Sequence, residues 1–198
     1  MTGLFDEPDD ATLLEPEERE ALLQSWITHR RDLNEAEEAN ILKGAVWARR
    51  RRSRRPADLL TVDFALRLHK RMFGEVWRWA GTYRLTARNI GIDAHRIPSE
   101  VAMLLDDVRY WVAHQTYPPD EIAVRLHHRL AAIHPFPNGN GRYARLSADL
   151  LIERLGGSPF AWGGGSLSDI GVLRSRYIDA LRAADSHDIA PLLAFVRS

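Results

Sequence analysis

Two prolines and two glycines between residues 134 and 142 constrain the fold of this chain more than any other feature. The preceding segment, residues 121–133, repeats apolar side chains at the three-and-four spacing of a helix with one buried face, namely Ile122, Leu126, Leu130 and Ile133. Pro135 and Pro137 cannot continue that helix, because each lacks an N–H donor and restricts the residue before it. The chain must therefore turn directly after His134, at the end of a core helix.

The turn itself has the composition of an anion-binding loop. An asparagine between two glycines permits positive backbone torsions there, in the run Gly139, Asn140 and Gly141. Helical periodicity then resumes over residues 141–155, and the first N–H groups of that helix carry partial positive charge. Arg142 and Arg145, one turn apart, add two guanidinium groups to the same end. The pattern predicts a site for phosphate oxygens with His134 at its rim.

This stretch resembles the signature of the Fic (Fido) family, which reads His-Pro-Phe-x-Asp/Glu-Gly-Asn-Gly-Arg-x-x-Arg. Fic enzymes typically transfer AMP from ATP to a hydroxyl group of a target protein, so the resemblance implies a protein adenylyltransferase. His134 would be the general base that deprotonates the attacking hydroxyl, and Phe136 the apolar anchor of the loop. The residues that bind the nucleotide phosphates would be Gly139, Asn140, Gly141, Arg142 and Arg145.

One position departs from this signature, because Asn138 stands where the family has an Asp or Glu that helps to hold Mg²⁺. A neutral amide oxygen can bind magnesium but offers no charge, so the resemblance implies ATP as the substrate and a weak Mg²⁺ (or Mn²⁺) site. Three alternatives stay open: an enzyme with a weaker metal site, an enzyme for another phosphate-containing substrate, and a catalytically silent module that binds a nucleotide or a partner. We favour the first because the rest of the motif is intact.

The composition argues against several classes of protein. The 27 acidic and 27 basic residues cancel, so direct nucleic-acid binding is not expected. The arginine-rich block of residues 49–55 is interpreted as the solvated end of a helix, with a patch for an acidic partner as the alternative. No apolar run is long enough to span a bilayer. Without cysteines or a recognisable signal peptide, we expect a cytoplasmic protein.

The order of predicted elements indicates a mainly α fold, which resembles the helical bundle of the Fic core. Thr61 is expected to cap the start of one helix, and a later helix is expected to begin at Ser168. Residues 59–198 are expected to form the core domain and residues 1–58 an N-terminal helical extension. Residues 82–97 lose the helical period, which predicts a small β-hairpin flap beside the active-site loop. In the family this flap aligns the target by strand addition, with an ordinary surface hairpin as the alternative here. The docking edge would consist of Arg88, Asn89, Ile90, Gly91 and Ile92.

The N-terminal extension contains an imperfect match to a regulatory pattern. Many Fic proteins carry an inhibitory helix, Ser/Thr-x-x-x-Glu-Gly/Asn, whose glutamate pairs with the second signature arginine. Residues 34–40 are the nearest match, and either Glu37 or Glu38 can supply the carboxylate. Our hypothesis is that Glu38 pairs with Arg145 and inhibits the enzyme. The alternative is a capping box, in which Asn34 and Glu37 begin a helix.

The sequence is also similar to the Fic subgroup called mobile mystery protein B. This similarity rests on residues 34–41, 79–81 and 89–91, together with the signature that contains Asn138. Members of the subgroup are encoded on mobile elements beside a helix-turn-helix protein. The resemblance therefore implies a helix-turn-helix partner and a toxin-antitoxin-like or element-maintenance role.

Overall fold

The structure of this chain, a computed structural model, describes residues 16–50, 55–164 and 170–198. The acidic first segment and the middle of the arginine block, residues 51–54, lie outside the described residues, as does the predicted start of a helix at Ser168. The described ranges contain these α-helices: α1 (Pro16–Ala21), α2 (Arg30–Arg49), α3 (Val62–Phe73), α4 (Ile97–His114), α5 (Pro119–Ile133), α6 (Asn140–Arg154), α7 (Ile170–Asp185) and α8 (Ala190–Arg197). The predicted mainly α fold class is confirmed.

Local sequence signals explain several helix ends. The Thr61 side chain accepts a hydrogen bond from the Phe64 N–H at 3.1 Å, which confirms the predicted cap of α3. Proline lies in the first turn of α4 and of α5, where its missing N–H leaves no donor unsatisfied. None of the helices in the described part of the chain is long and apolar enough to cross a membrane.

The predicted start of α2 is wrong. This helix begins at Arg30, after His29, so Asn34 lies within its second turn rather than at its start. Glu37 is buried inside the helix instead of capping it. The buried positions of α2 repeat every three or four residues, and they include a polar pair at its centre: Leu33, Glu37, Asn40, Gly44 and Ala48.

The helices pack around one shared core. Helix α2 lies along α3, α5 packs on α6 and α4, and α7 packs on α8. The α2 helix is joined to α3 by Asn40, whose side chain donates to the Arg71 carbonyl at 3.0 Å and accepts from the Glu75 N–H at 2.9 Å. The N-terminal extension therefore covers the core, and the α5–α6 pair carries the signature loop at its turn.

The predicted β-hairpin flap is wrong. Residues 83–93 contain no strand in the described structure, and an isolated β-bridge joins Leu22 to Trp77 elsewhere. The carbonyl oxygens of Thr86 and Ile92 instead accept hydrogen bonds from the Arg84 side chain, at 2.9 and 2.5 Å. A side chain thus replaces the cross-strand bonds of a hairpin, and we call residues 83–93 the flap segment below.

Candidate active site

His134 ends helix α5 in a left-handed backbone conformation, with φ 53° and ψ 61°. Its N–H donates to the Leu130 carbonyl at 3.1 Å, which completes the last helical turn. A histidine in this conformation is uncommon, since the left-handed region costs most residues free energy. The following Pro135 prevents a further helical turn, and the half-buried imidazole lies at the mouth of the loop.

The surroundings of His134 favour a neutral imidazole. Burial lowers the pKa of His134, and the positive charges of Arg84 and Arg88 lower it further, against a backbone hydrogen bond at Ala131. A neutral imidazole can accept a proton, which is the state that a general base requires before the reaction. The surroundings of His134 are thus compatible with the role of a general base.

Phe136 anchors the loop in an aromatic cluster. It is 1% exposed, and its ring stacks on the His69 ring with centroids 3.6 Å apart. Nδ1 of His69 accepts from the Gly81 N–H at 3.0 Å, so the other nitrogen carries the proton and donates to the Asn138 carbonyl at 3.2 Å. Burial lowers the pKa of His69 to about 3, which keeps this histidine neutral.

Sequence reasoning missed His69 because its position in α3 falls within an apolar stripe. The neighbours on that stripe are Ala65, Leu68 and Met72, and all three are buried. In the sequence, a histidine at the spacing of these buried residues is expected to be one more residue of the core. Its role beneath the loop depends on residues that lie about 70 positions later in the chain.

Asn140 closes the loop with its side chain. Its Oδ1 accepts from the Phe136 N–H and its Nδ2 donates to the Phe136 carbonyl, both at 2.8 Å. The amide group is therefore used within the loop, which leaves the backbone N–H of Asn140 as the group that it can offer to an anion. That N–H, with those of Gly141 and Arg142, belongs to the first turn of α6 and has no acceptor within the helix.

Gly139 is required by two independent features of the loop. It precedes α6 in a left-handed conformation with φ 77°, and a Cβ atom there would lie 2.5 Å from the Phe73 ring. Glycine alone satisfies both conditions. The same Phe73 ring packs beneath the Arg142 guanidinium, whose carbon lies 5.0 Å from the ring centroid.

Arg142 is paired with a buried carboxylate on α2. Its Nη1 donates to Oε2 of Glu37 at 2.5 Å, and Oε1 of Glu37 accepts from the Trp77 indole N–H at 2.5 Å. Glu37 is 4% exposed, whereas Glu38 is exposed. The expected pair of Glu38 with Arg145 is therefore wrong: successive residues of a helix point about 100° apart, and Glu37 is the one on the buried face.

Arg145 lies one turn further along α6, in a more enclosed place. Burial lowers its pKa, while the nearby Tyr177 and Asp149 act in the opposite direction. Tyr177 is held by its hydroxyl, 2.9 Å from Nε2 of the buried His127. The two signature arginines thus differ. Arg142 is bound to the Glu37 carboxylate of α2, whereas Arg145 lies among side chains of α5, α6 and α7.

Asn138 is exposed at the tip of the loop. Its Oδ1 accepts from the Gly139 N–H at 2.6 Å, so the one side-chain oxygen that it offers faces the loop backbone. No group of three or more acidic, histidine or cysteine side chains able to hold a metal ion occurs among the described residues. At the loop tip, the described residues therefore offer a cation at most a neutral oxygen.

The flap segment lies directly against His134. A Cβ atom on Gly91, where φ is 103°, would lie 2.7 Å from the His134 Cβ and 2.7 Å from Nη2 of Arg84. Three of the other predicted docking residues extend away from this contact: Arg88 and Asn89 are exposed, as is Ile90 at 63%. Ile92 instead lies half-buried against the loop, and its N–H donates to the Ile133 carbonyl at 3.4 Å. Sequence reasoning missed Arg84, which is 2% exposed and joins the flap segment to the loop.

Comparisons with known proteins agree with this arrangement. Residues 59–152 match the sequence profile of the Fic/DOC family. The protein adenylyltransferase Fic of Culex quinquefasciatus is 30% identical over 143 residues, which are 70% of this chain and 27% of that protein. The chain thus spans about a quarter of the length of the curated relatives it matches.

Solved structures show the same fold. The structure of Fic-1 (residues 134–508) from C. elegans is 26% identical with a TM-score of 0.62, over 81% of this chain and 48% of that one. BepC from Bartonella tribocorum, solved with bound AMPPNP, has a TM-score of 0.61 at 19% identity, over 94% of this chain and 92% of that one, a likeness that shows the fold alone. The profile match, the relatives and the helical fold together assign the domain of residues 59–152 to the Fic/DOC family.

Proposed function

We propose that this chain is a protein adenylyltransferase, which transfers AMP from ATP to a hydroxyl side chain of a target protein. The observation that carries the proposal is the neutral His134 at the rim of an anion site, formed by the first turn of α6 and Arg142. The adenylyltransferase relatives at 30% identity support the same reaction. ATP is the substrate that this reaction requires.

In this proposal His134 accepts the proton of the target hydroxyl as the hydroxyl oxygen attacks. That oxygen forms a bond to the α-phosphorus of ATP, and the bond from this phosphorus to the oxygen bridging to the β-phosphate breaks. Pyrophosphate leaves with that electron pair. The N–H groups of α6 with Arg142 and Arg145 stabilise the charge on the phosphate oxygens, because fixed donors in a partly enclosed site need no reorganisation during the reaction.

Mg²⁺, when bound, would neutralise phosphate charge, with Asn138 as the residue of this chain that would hold it. An amide oxygen brings no charge, so we propose weak metal binding. Asn138→Asp is expected to lower the Mg²⁺ concentration that gives half-maximal transfer by about tenfold, since a carboxylate contributes more than an amide to a hard cation. A magnesium titration of the transfer rate measures this, and an unchanged midpoint would contradict the assignment of Asn138.

Glu37 is proposed as the inhibitory residue. Its carboxylate occupies Arg142 at 2.5 Å and is itself held by the Trp77 indole, so a phosphate group must displace it to use this guanidinium. The Fic pattern places such a glutamate on the second signature arginine, whereas here the contact is with the first. Inhibition by a glutamate of α2 therefore remains the proposal, with the pair of Glu37 and Arg142 in place of the pair of Glu38 and Arg145.

Residues 88–92 of the flap segment are proposed to dock the target chain through backbone hydrogen bonds. Residues 88–91 are exposed and would supply these bonds, since both backbone groups of Ile92 are bonded to Ile133 and Arg84. The division into an extension up to residue 58 and a core from residue 59 also remains a proposal, as do the mobile mystery protein B subgroup, the cytoplasmic location and the helix-turn-helix partner. The sequence resemblance supports the subgroup and the helix-turn-helix partner, and the lack of cysteines in the sequence supports the location.

The function is tested by incubating wild type and His134→Ala with ATP labelled on the α- or the γ-phosphate, in a lysate containing Mg²⁺ or Mn²⁺. We expect protein-bound α-label with the wild type and at least 10²-fold less with His134→Ala, the contribution typical of a general base. Label from the γ-phosphate would indicate a kinase. No label from either protein, despite measurable ATP binding, would contradict the proposal and favour the silent binding module.

A further inference from the structure

Arg84 is a buried arginine whose donors end on backbone carbonyls of two separate segments. Its Nε donates to the His134 carbonyl at 2.7 Å, and its Nη2 reaches the Ile133 carbonyl at 3.4 Å. Within the flap segment, Nη1 donates to the Thr86 carbonyl at 2.9 Å and Nη2 donates to the Ile92 carbonyl at 2.5 Å. A guanidinium that is 2% exposed among uncharged acceptors is costly to bury, which makes its position unusual for an arginine that serves packing alone.

The backbone around Arg84 joins the same two segments. The Arg84 N–H donates to the Pro135 carbonyl at 3.0 Å, and the Ile92 N–H to the Ile133 carbonyl at 3.4 Å. The consecutive carbonyls of residues 133–135 therefore all accept from the flap segment or from its arginine. Helix α5 ends in this stretch, so these carbonyls have no partner in the next helical turn.

We infer that Arg84 is a positioning residue, which holds His134 in its left-handed conformation and fixes the flap segment against it. The inference rests on the proposed role of His134 as the general base. The left-handed conformation of His134 persists only if surrounding contacts enforce it, and the Nε bond from Arg84 is such a contact. Gly91 completes the arrangement, since a side chain there would collide with Arg84 and His134 together.

The guanidinium also acts on His134 through its charge. The charged groups that act on the imidazole are Arg84 and Arg88 of the flap segment, and both lower the pKa of His134 in addition to burial. Of the two, Arg84 alone bonds to the His134 backbone, and Arg88 is exposed. Arg84 thus acts on both the position and the protonation state of the base, the latter together with burial and Arg88. No local sequence pattern connects Arg84 to His134.

The test compares Arg84→Gln and Arg84→Lys with the wild type, using Arg182→Gln as a control arginine that is exposed and distant. The pKa of His134 is measured by NMR titration, with its signals assigned by their loss in His134→Asn. Transfer of α-label to lysate proteins is measured over pH 5–9. The titration does not depend on enzymatic activity, so it separates a failure of this inference from a failure of the proposed function.

We expect Arg84→Gln to raise the pKa of His134, to move the acid limb of the transfer profile to higher pH, and to reduce the rate by about 10²-fold through misplacement of the base. Arg84→Lys keeps the charge but not the fork of donors, so it should keep the low pKa and still lose rate. If Arg84→Gln does not fold, the transfer rate of Arg84→Lys relative to the wild type decides whether the inference holds. Wild-type transfer by Arg84→Lys, or an unchanged His134 pKa in Arg84→Gln, would overturn the inference.

Discussion

The signature loop of residues 134–142 and the flap segment of residues 83–93 lie against each other, yet they are held in different ways. The loop is held by close contacts of its own: the Asn140 side chain makes two hydrogen bonds to the Phe136 backbone, and the His69 ring stacks on the Phe136 ring. The flap segment has no strand and is attached largely through the Arg84 side chain and two backbone bonds. The comparison indicates that the loop is held by its own packing, whereas the flap segment depends largely on a single side chain and leaves its outer residues exposed.

The largest effect is expected from a change within the loop. Gly139→Ala places a Cβ atom 2.5 Å from the Phe73 ring at a residue with φ 77°, so it should destabilise the fold by about 3 kcal/mol and remove transfer activity. Gly156→Ala is the matched control, because φ there is also positive, at 89°, but nothing lies within 4 Å of the added atom. That control should cost about 1 kcal/mol. Urea unfolding measures both, and equal losses would contradict the close packing of the loop.

Acid should destabilise the protein through two buried histidines, His69 beneath the loop and His127 beside Tyr177. Burial lowers the pKa of His69 and of His127 to about 3, so unfolding takes up a proton at each once the pH falls below 6.5. Their stabilising contribution is complete above pH 6.5 and is lost as the pH falls toward 3. Burial raises the pKa of Asp149 to about 6, which acts in the opposite direction below pH 6.

Between pH 7 and pH 5 the two histidines together should lower the free energy of unfolding by about 4 kcal/mol, and Asp149 should raise it by about 1 kcal/mol. The free energy of unfolding is thus expected to fall by about 3 kcal/mol, as measured by urea unfolding at both values. His69→Phe keeps a ring against Phe136 and removes one titrating group, so its pH dependence should be shallower by about 2 kcal/mol. The same dependence in His69→Phe and wild type would exclude His69 as a source of the acid sensitivity.

The smallest effect on stability is expected in the flap segment. Ile90 is 63% exposed, so Ile90→Ser should change the free energy of unfolding by less than about 0.5 kcal/mol. If this segment docks the target, the same variant raises KM for the target and leaves kcat nearly unchanged. Steady-state kinetics with an identified target measures the split. A loss of more than about 1 kcal/mol in Ile90→Ser would show that the Ile90 side chain is packed, which contradicts the contrast drawn between the flap segment and the signature loop.

The difference between the two regions also explains what sequence reasoning achieved. The turn after His134, the restart of a helix near Gly141 and the cap at Thr61 depend on residues within a few positions of each other. Proline, glycine and capping chemistry act over that range, so their effects are readable in a single sequence. These features were predicted in the places where the structure has them.

The remaining features depend on contacts between distant parts of the chain. Arg84 meets His134 across 50 positions, and Glu37 meets Arg142 across 105. The choice between Glu37 and Glu38 follows from the phase of α2, whose N-cap is His29, five residues before the Asn34 cap that the pattern indicated. The predicted hairpin failed because the Arg84 side chain, which also bonds to the distant His134 carbonyl, supplies within the segment the bonds that a second strand would have made.

The central claim is that a complete transferase site is present and is restrained by the contact of Glu37 with Arg142. The most direct measurement is the initial rate of α-label transfer from ATP by wild type, Glu37→Gly, Glu38→Gly and the double variant Glu37→Gly with His134→Ala. We predict a rate at least tenfold above wild type for Glu37→Gly, no change for the exposed Glu38→Gly, and no transfer by the double variant. Equal rates for wild type and Glu37→Gly, or transfer that survives the loss of His134, would contradict the account.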